Sequence, residues 1–152
     1  MDAIIRKTSI SDFLTISELD RQAWRDNRSS DFIPDGEHAW RLWVEYSTVF
    51  VAELGDKKIV GAALLFKAND CSLYLFHKIF VDKKYRDQKI GNMFFQNIAD
   101  FLDKEKADCL LTTDPVNSRM IHLCDKYGFT DKRLVEGYYR QDEDRLGYQA
   151  DV

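Results

Sequence analysis

Ile79-Phe80-Val81-Asp82-Lys83-Lys84-Tyr85-Arg86-Asp87-Gln88-Lys89-Ile90-Gly91-Asn92-Met93-Phe94 passes from an apolar run, through a polar turn, into a helix. The apolar run begins near residue 72 and predicts a strand over 72–82. Alternation puts Leu73, Leu75, His77, Ile79 and Val81 on one face and Tyr74, Phe76, Lys78 and Phe80 on the other. Both sets are mostly apolar, so a central strand covered on both sides is expected. From Ile90 to about Lys104, Phe94, Ile98, Phe101 and Leu102 recur at helical spacing. The junction matters because a helix N-terminus leaves backbone N–H groups without intrahelical partners and carries partial positive charge. After a tight polar turn, that end can cradle a phosphate or pyrophosphate. An ordinary strand–helix connection has the same spacing, so both readings stand at this point.

Outward from this segment the elements alternate in type. Upstream, Ala3–Lys7 reads as a strand, and Ser11 or Asp12 can cap a helix carrying Phe13, Ile16, Leu19 and Ala23. Residues 25–36 read as a loop, and a second helix is expected over Glu37–Tyr46. Two strands follow, 48–54 and 58–66, with Gly55-Asp56 as their turn. Downstream come a short strand at Cys109–Thr112 and a helix capped by Asn117 or Ser118 that stops at Gly128. Two further strands, about 130–140 and 145–151, are joined by residues 141–144. The order predicts a single domain over 1–152, an α/β sandwich around a mixed sheet.

Composition narrows the classes. A chain of 152 residues with formal net charge −4 and interspersed signs has no basic face, so no nucleic-acid partner is expected. No apolar run reaches the length of a membrane span, and the first residues show no leader pattern, so a cytoplasmic protein without a membrane partner is expected. Cys71, Cys109 and Cys124 are odd in number and unclustered, and His38, His77 and His122 are scattered. No disulfide framework and no metal site are expected.

Two motifs resemble those of the GNAT N-acetyltransferase superfamily. The first is Arg/Gln-x-x-Gly-x-Gly/Ala after a strand ending Val-x-Pro-x-Tyr; here Val81, Tyr85, Arg86, Ile90 and Gly91 match. Lys83 stands for the proline and Lys89 for the first glycine. The second is Asn-x-x-Ala-x-x-x-Tyr-x-x-x-Gly-Phe, matched in register by Asn117, Gly128 and Phe129. Met120 stands for the small residue and Cys124 for the tyrosine. Ile59-Val60-Gly61, after the hairpin turn, is also family-like. The element order extends the likeness over nearly the whole chain.

The resemblance implies a GNAT-like fold with a central, mixed, mostly antiparallel sheet, splayed between the fourth and fifth strands. It implies an N-acetyltransferase that uses acetyl-CoA as co-substrate, without a metal, and moves the acetyl group to a primary amine of a small molecule or protein. The pantetheine arm would pair along Ile79, Phe80 and Val81. The turn of Arg86, Asp87, Gln88, Lys89, Ile90, Gly91 and Asn92 would receive the pyrophosphate. Asn117 would contact the pantetheine or adenine half, or serve only as a helix cap. Cys124 would line the pocket of the cofactor thiol, where the family commonly carries a tyrosine proton donor.

An attacking amine must be neutral, so a base helps the reaction. His77 can fill that role, since an imidazole ionises near neutral pH, or it can be a half-buried strand histidine. Asp114 and Glu53 are further candidates, and His122 is expected on a helix surface. By the resemblance, the acceptor lies over the first helices and last strands. Those regions hold Trp24, Phe32, Trp40, Trp43, Tyr138 and Tyr139, with Asp26, Asp31, Asp35 and Glu37 among them. Such a rim suits a cationic amine, and the same aromatics can equally be core. A monomer or homodimer is expected. The alternative of a different class is a catalytically silent domain that binds acyl-CoA as a sensor or scaffold.

Overall fold

The computed structural model describes residues 2–25, 35–69 and 72–150. The elements in chain order are β1 Ile4–Lys7, α1 Phe13–Arg25, α2 Glu37–Tyr46, β2 Thr48–Glu53, β3 Ile59–Lys67, β4 Leu73–Val81, α3 Ile90–Glu105, β5 Asp108–Thr113, α4 Ser118–Lys126, β6 Asp131–Val135 and β7 Arg145–Ala150. The seven strands form a sheet in the order β1-β2-β3-β4-β5-β7-β6. It is mixed and mostly antiparallel, as expected. β4 and β5 run parallel because α3 is the crossover between them. Their ladder joins Leu73 through Leu75 to Asp108 through Leu110, while β4 continues to Val81.

Two compact units divide the chain, one of residues 1–65 and 78–94, the other of 66–77 and 95–152. In the first, β1–β2–β3 is an antiparallel meander whose core includes Val51, Val60, Ala62 and Leu64, all fully buried. The hairpin turn falls at Gly55-Asp56, closed by Leu54 N–H to Lys58 O at 2.9 Å. Arg6 of β1 ties the edge down. Its guanidinium bonds Glu53 of β2 at 2.7 Å and Asp12 at 2.9 Å, and both carboxylates are buried. Asp12 belongs to the 3-10 turn Ile10–Asp12 that precedes α1, and it accepts the Ser9 N–H at 2.8 Å. Chain entry into α1 is therefore set at Ser9, two residues before Ser11, with the Asp12 carboxylate bonding back to it.

In the second unit, Phe95 of α3 gathers a ring cluster. Phe76 lies 5.4 Å away, Tyr127 5.7 Å and Phe129 5.9 Å, centroid to centroid. Gly128 has φ +87° and lets Phe129 N–H return to Cys124 O at 3.1 Å, the helix stop expected at that glycine.

Two expectations change. First, the face of β4 carrying Leu73, Leu75, Ile79 and Val81 is only half-buried and His77 is exposed, while Tyr74, Phe76 and Phe80 are buried. Apolar composition reports which side chains avoid water, not whether the protein itself covers them. Second, the strand expected over 130–140 ends at Val135. Gly137 adopts φ +60°, its N–H donates to Asp144 Oδ1 at 2.9 Å, and Tyr138 N–H donates to Glu143 O at 2.9 Å. A left-handed glycine plus a carboxylate that captures its N–H turns the chain before residues 141–144 are reached.

Candidate functional site

The turn between β4 and α3 is built by short-range bonds. At the end of β4, Asp82 N–H donates to Val60 O at 2.7 Å, which fixes where the strand stops. The Asp82 carboxylate then accepts the Lys84 N–H at 3.0 Å and caps the 3-10 turn Lys83–Tyr85. Arg86 Nε reaches back to Val81 O at 3.1 Å. Lys58 Nζ lies 5.2 Å from the centre of the Tyr85 ring and 3.4 Å from its hydroxyl. A Cβ on Gly61 would stand 2.8 Å from Phe80 O and 3.2 Å from the Phe94 ring. Only glycine lets β3 approach β4 this closely, just where β4 feeds the turn.

The helix ladder begins with Met93 N–H to Lys89 O at 3.2 Å. The N–H groups of Ile90, Gly91 and Asn92 therefore precede the first bond of the ladder, at the positive end of a helix running to Glu105. Asp87, Gln88 and Lys89 are exposed, Gly91 and Asn92 half-buried, and Ile90 buried. Exposed turn residues thus lead directly into a helix whose first residue, Ile90, is an apolar anchor.

Lys89 holds φ +61°, the left-handed region. That conformation favours glycine at the position where the motif has one, and it costs an L-residue about 1–2 kcal/mol. Lys89→Gly removes this strain but adds backbone freedom to the unfolded chain, worth roughly 0.5–1 kcal/mol. The expected net result is a gain of about 0.5 kcal/mol in urea unfolding, with Lys89→Ala unchanged within about 0.5 kcal/mol. A clear loss of stability in Lys89→Gly would show that the lysine side chain contributes more than its backbone strain costs.

The remaining candidates fall into different surroundings. Ile79 and Val81 are half-buried on β4, whereas Phe80 is buried with its ring 5.8 Å from Trp40. His77 is exposed, 5.2 Å from the Phe66 ring. Asn117 caps α4, its Oδ1 accepting the Met120 N–H at 3.1 Å. Asp114 Oδ1 accepts the Val116 N–H at 3.1 Å, holding the turn before that helix. Glu53 is committed to Arg6. His122 is exposed, as expected. Cys124 is fully buried, and burial, with the nearby Asp125 charge, pushes its thiol up to about 12. Tyr148 of β7 is buried as well, with its hydroxyl lacking a hydrogen-bond partner; burial and the charges of Asp125 and Cys124 raise its ionisation.

Of the aromatic and acidic residues expected around an acceptor, Phe32, Asp26 and Asp31 lie outside the described residues. Trp40 is core, with Trp43 edge-on at 5.0 Å. Trp24 and Trp43 are half-buried and Glu37 is exposed. Tyr138 and Tyr139, in the second unit, are exposed and pack edge-on at 4.8 Å.

Sequence reasoning missed a mostly buried cation in the first unit. Lys78 of β4 makes 2.7 Å ion pairs with both Asp20 of α1 and Asp35, and its Nζ lies 5.8 Å from Trp24 and 5.9 Å from Trp40. Trp40 Nε1 donates to the same Asp20 at 2.9 Å. The signal was Lys78 itself, a lone charge among Tyr74, Phe76 and Phe80, since a cation buried there requires carboxylate partners.

Residues 13–129 match the family model described as acetyltransferase (GNAT) family. A search among curated proteins gives no match. Solved structures align over most of the chain. One is the ribosomal-protein-S18-alanine N-acetyltransferase from Escherichia coli, 18% identical at TM-score 0.79, covering 98% of this chain and 93% of that one. Another is an N-acetyltransferase from Staphylococcus aureus Mu50, 18% identical at TM-score 0.81, with 99% of each chain covered. A third is a GNAT family acetyltransferase from Elizabethkingia anophelis with acetyl-CoA bound, 15% identical at TM-score 0.63, covering 76% of this chain and 82% of that one. At these identities the likeness is one of fold. No described helix is long and apolar enough to cross a membrane.

Proposed function

The chain belongs to the acetyltransferase (GNAT) family, and on that premise we propose that it transfers an acetyl group from acetyl-CoA to a primary amine of a small molecule or protein. The observation that carries this reading is the cradle at residues 86–92, where the first N–H groups of α3 stand beside an exposed turn. An anionic pyrophosphate suits that end of a helix. Ile79 and Val81 are half-open on β4, and the backbone from Ile79 to Val81 would pair with the amides of the pantetheine arm as an added strand does. Phe80 would take part through its backbone alone, because its ring is buried. Asn117 would add a second cofactor contact alongside its capping bond.

The reaction is direct attack. The amine lone pair forms a C–N bond with the thioester carbonyl carbon, and the tetrahedral intermediate collapses with loss of the C–S bond. One proton leaves the nitrogen and one reaches the departing thiolate. His77, exposed on the strand proposed to carry the pantetheine, is the proposed base, directly or through water. Trp43 and Glu37 would attract a cationic acceptor, whereas Asp35 and Trp24 already hold the Lys78 ammonium.

Cys124 would keep its proton at neutral pH, because its thiol is pushed up to about 12. It is also fully buried, so its contribution would be packing behind the pocket wall rather than contact with the cofactor thiol as an essential acid. Cys124→Ala is expected to retain turnover within about tenfold, at most about 1.4 kcal/mol in the barrier. A thousandfold fall with cofactor binding intact would make Cys124 the proton donor.

The test of the whole reading is release of free CoA thiol from acetyl-CoA against a panel of amines. Acceptor-dependent release supports it. Thermal stabilisation by CoA without release from any amine would leave the silent binding domain instead.

A further inference from the structure

Arg145 opens β7 in the second unit and is half-buried. Its Nη2 donates to Thr112 O of β5 at 3.1 Å, and its guanidinium lies 5.5 Å from the centre of the Tyr139 ring. Both partners are neutral. Its Nε is shut off from water without a hydrogen-bond partner, and among the described residues no carboxylate pairs with it. The acids that precede it in sequence are engaged elsewhere: Asp144 holds the Gly137 N–H at 2.9 Å, and Glu143 pairs with Arg140 at 2.7 Å. A hidden donor without an acceptor costs stability, so its presence calls for an explanation. A guanidinium is a planar fork of five donors that fits a carboxylate through two parallel bonds. The Tyr139 ring against it is exposed, so it can swing aside without disturbing the core.

We propose that Arg145 binds a carboxylate on the acceptor, which makes the acceptor an amine of the amino-acid class. The inference rests on the acetyl-transfer reading above. Placement within the second unit supports it. The β4–β5 ladder ends at Leu75 and Leu110, and His77 and Thr112 each lie two residues further on. Arg145 is tied to Thr112, on one side of that opening, and the proposed base is on the other. An amino acid whose carboxylate sits on Arg145 would leave its amine for the β4 side. The products would be the N-acetyl amino acid, CoA thiol and one proton from the ammonium.

The experiment measures kcat/KM for each common amino acid with a primary amine and for the amine left on removing its α-carboxylate, leucine beside isopentylamine for example. The wild-type chain is expected to favour its best amino acid over the matched amine by about thirtyfold, mostly through KM. Arg145→Gln is expected to bring that ratio to within about threefold of one, and Arg145→Lys, which keeps the charge but not the fork, to about five. A merely structural role would lower both rates together and leave the ratio as it was. No preference for amino acids in the wild-type chain, or the same preference in Arg145→Gln, overturns the proposal. Should the wild-type chain release thiol with no amine at all, the transfer reading fails, and the NMR signal of the Arg145 Nε–H decides the site alone. A saturable shift with leucine and none with isopentylamine would keep the carboxylate site; no shift with either would remove it.

Discussion

Gly91→Glu is expected to weaken acetyl-CoA binding by at least about a hundredfold while leaving the fold as stable as before or more so. Gly91 is in the first turn of α3, where the ladder has not yet begun. A carboxylate there would occupy the space proposed for the pyrophosphate and meet its charge at short range. The same carboxylate suits a helix N-terminus, worth about 0.3–1 kcal/mol, and replacing a helical glycine adds a similar amount. Binding and stability should therefore move in opposite directions. A hundredfold loss corresponds to about 2.7 kcal/mol of binding free energy. Calorimetric titration beside thermal unfolding reads both, and unchanged affinity in a folded Gly91→Glu protein would remove the cradle from the site.

Arg6→Ala is expected to cost about 3 kcal/mol or more of folding stability, because it strands two buried carboxylates. Glu53 and Asp12 both lose their guanidinium partner. The effect has a pH signature. Burial acts to raise the Asp12 carboxyl, but the bonds from Arg6 and Ser9 outweigh it and hold it below the usual range. A depressed carboxyl stabilises the fold at pH above its unfolded value, near 3.9, and the contribution is lost as pH falls through the folded value. The difference in urea stability between wild type and Arg6→Ala should thus be full at pH 7 and shrink below about pH 4. A difference that stays constant from pH 7 to pH 3 would mean that the ion pairs add nothing and that only packing was lost.

The parts of this protein that follow from local pattern were legible in its sequence. The period of Phe94, Ile98, Phe101 and Leu102 located α3, and Gly128 located the end of α4, because each signal is carried by neighbouring residues. The motif from Val81 to Gly91 located the turn between β4 and α3 for the same reason. What escaped was set by partners distant in sequence. Lys78 is 58 residues from Asp20, and no local rule pairs them. Glu53 reads as a carboxylate at a strand end until Arg6 is placed beside it. The open face of β4 escaped because hydrophobicity records preference and not coverage. The early end of β6 escaped because it depends on Asp144 reaching back to Gly137, a bond with no mark in the strand pattern. The Lys89 substitution shows the reverse case. The sequence departs from its motif there, yet the backbone keeps the left-handed turn that a glycine would have adopted.

Two buried thiols among the described residues give the chain an internal clock. Cys109 on β5 and Cys124 on α4 are both fully buried, and burial foremost pushes each up to about 12. An alkylating reagent needs both access and a thiolate, and the folded chain withholds both from it. Labelling at these two positions must then wait for the surrounding structure to open, so its rate counts openings rather than collisions. A ligand that binds only the closed form slows that count in proportion to its occupancy. Mass-spectrometric labelling of two native cysteines, without any introduced probe, can therefore report binding of a compound whose chemical turnover is too slow to follow.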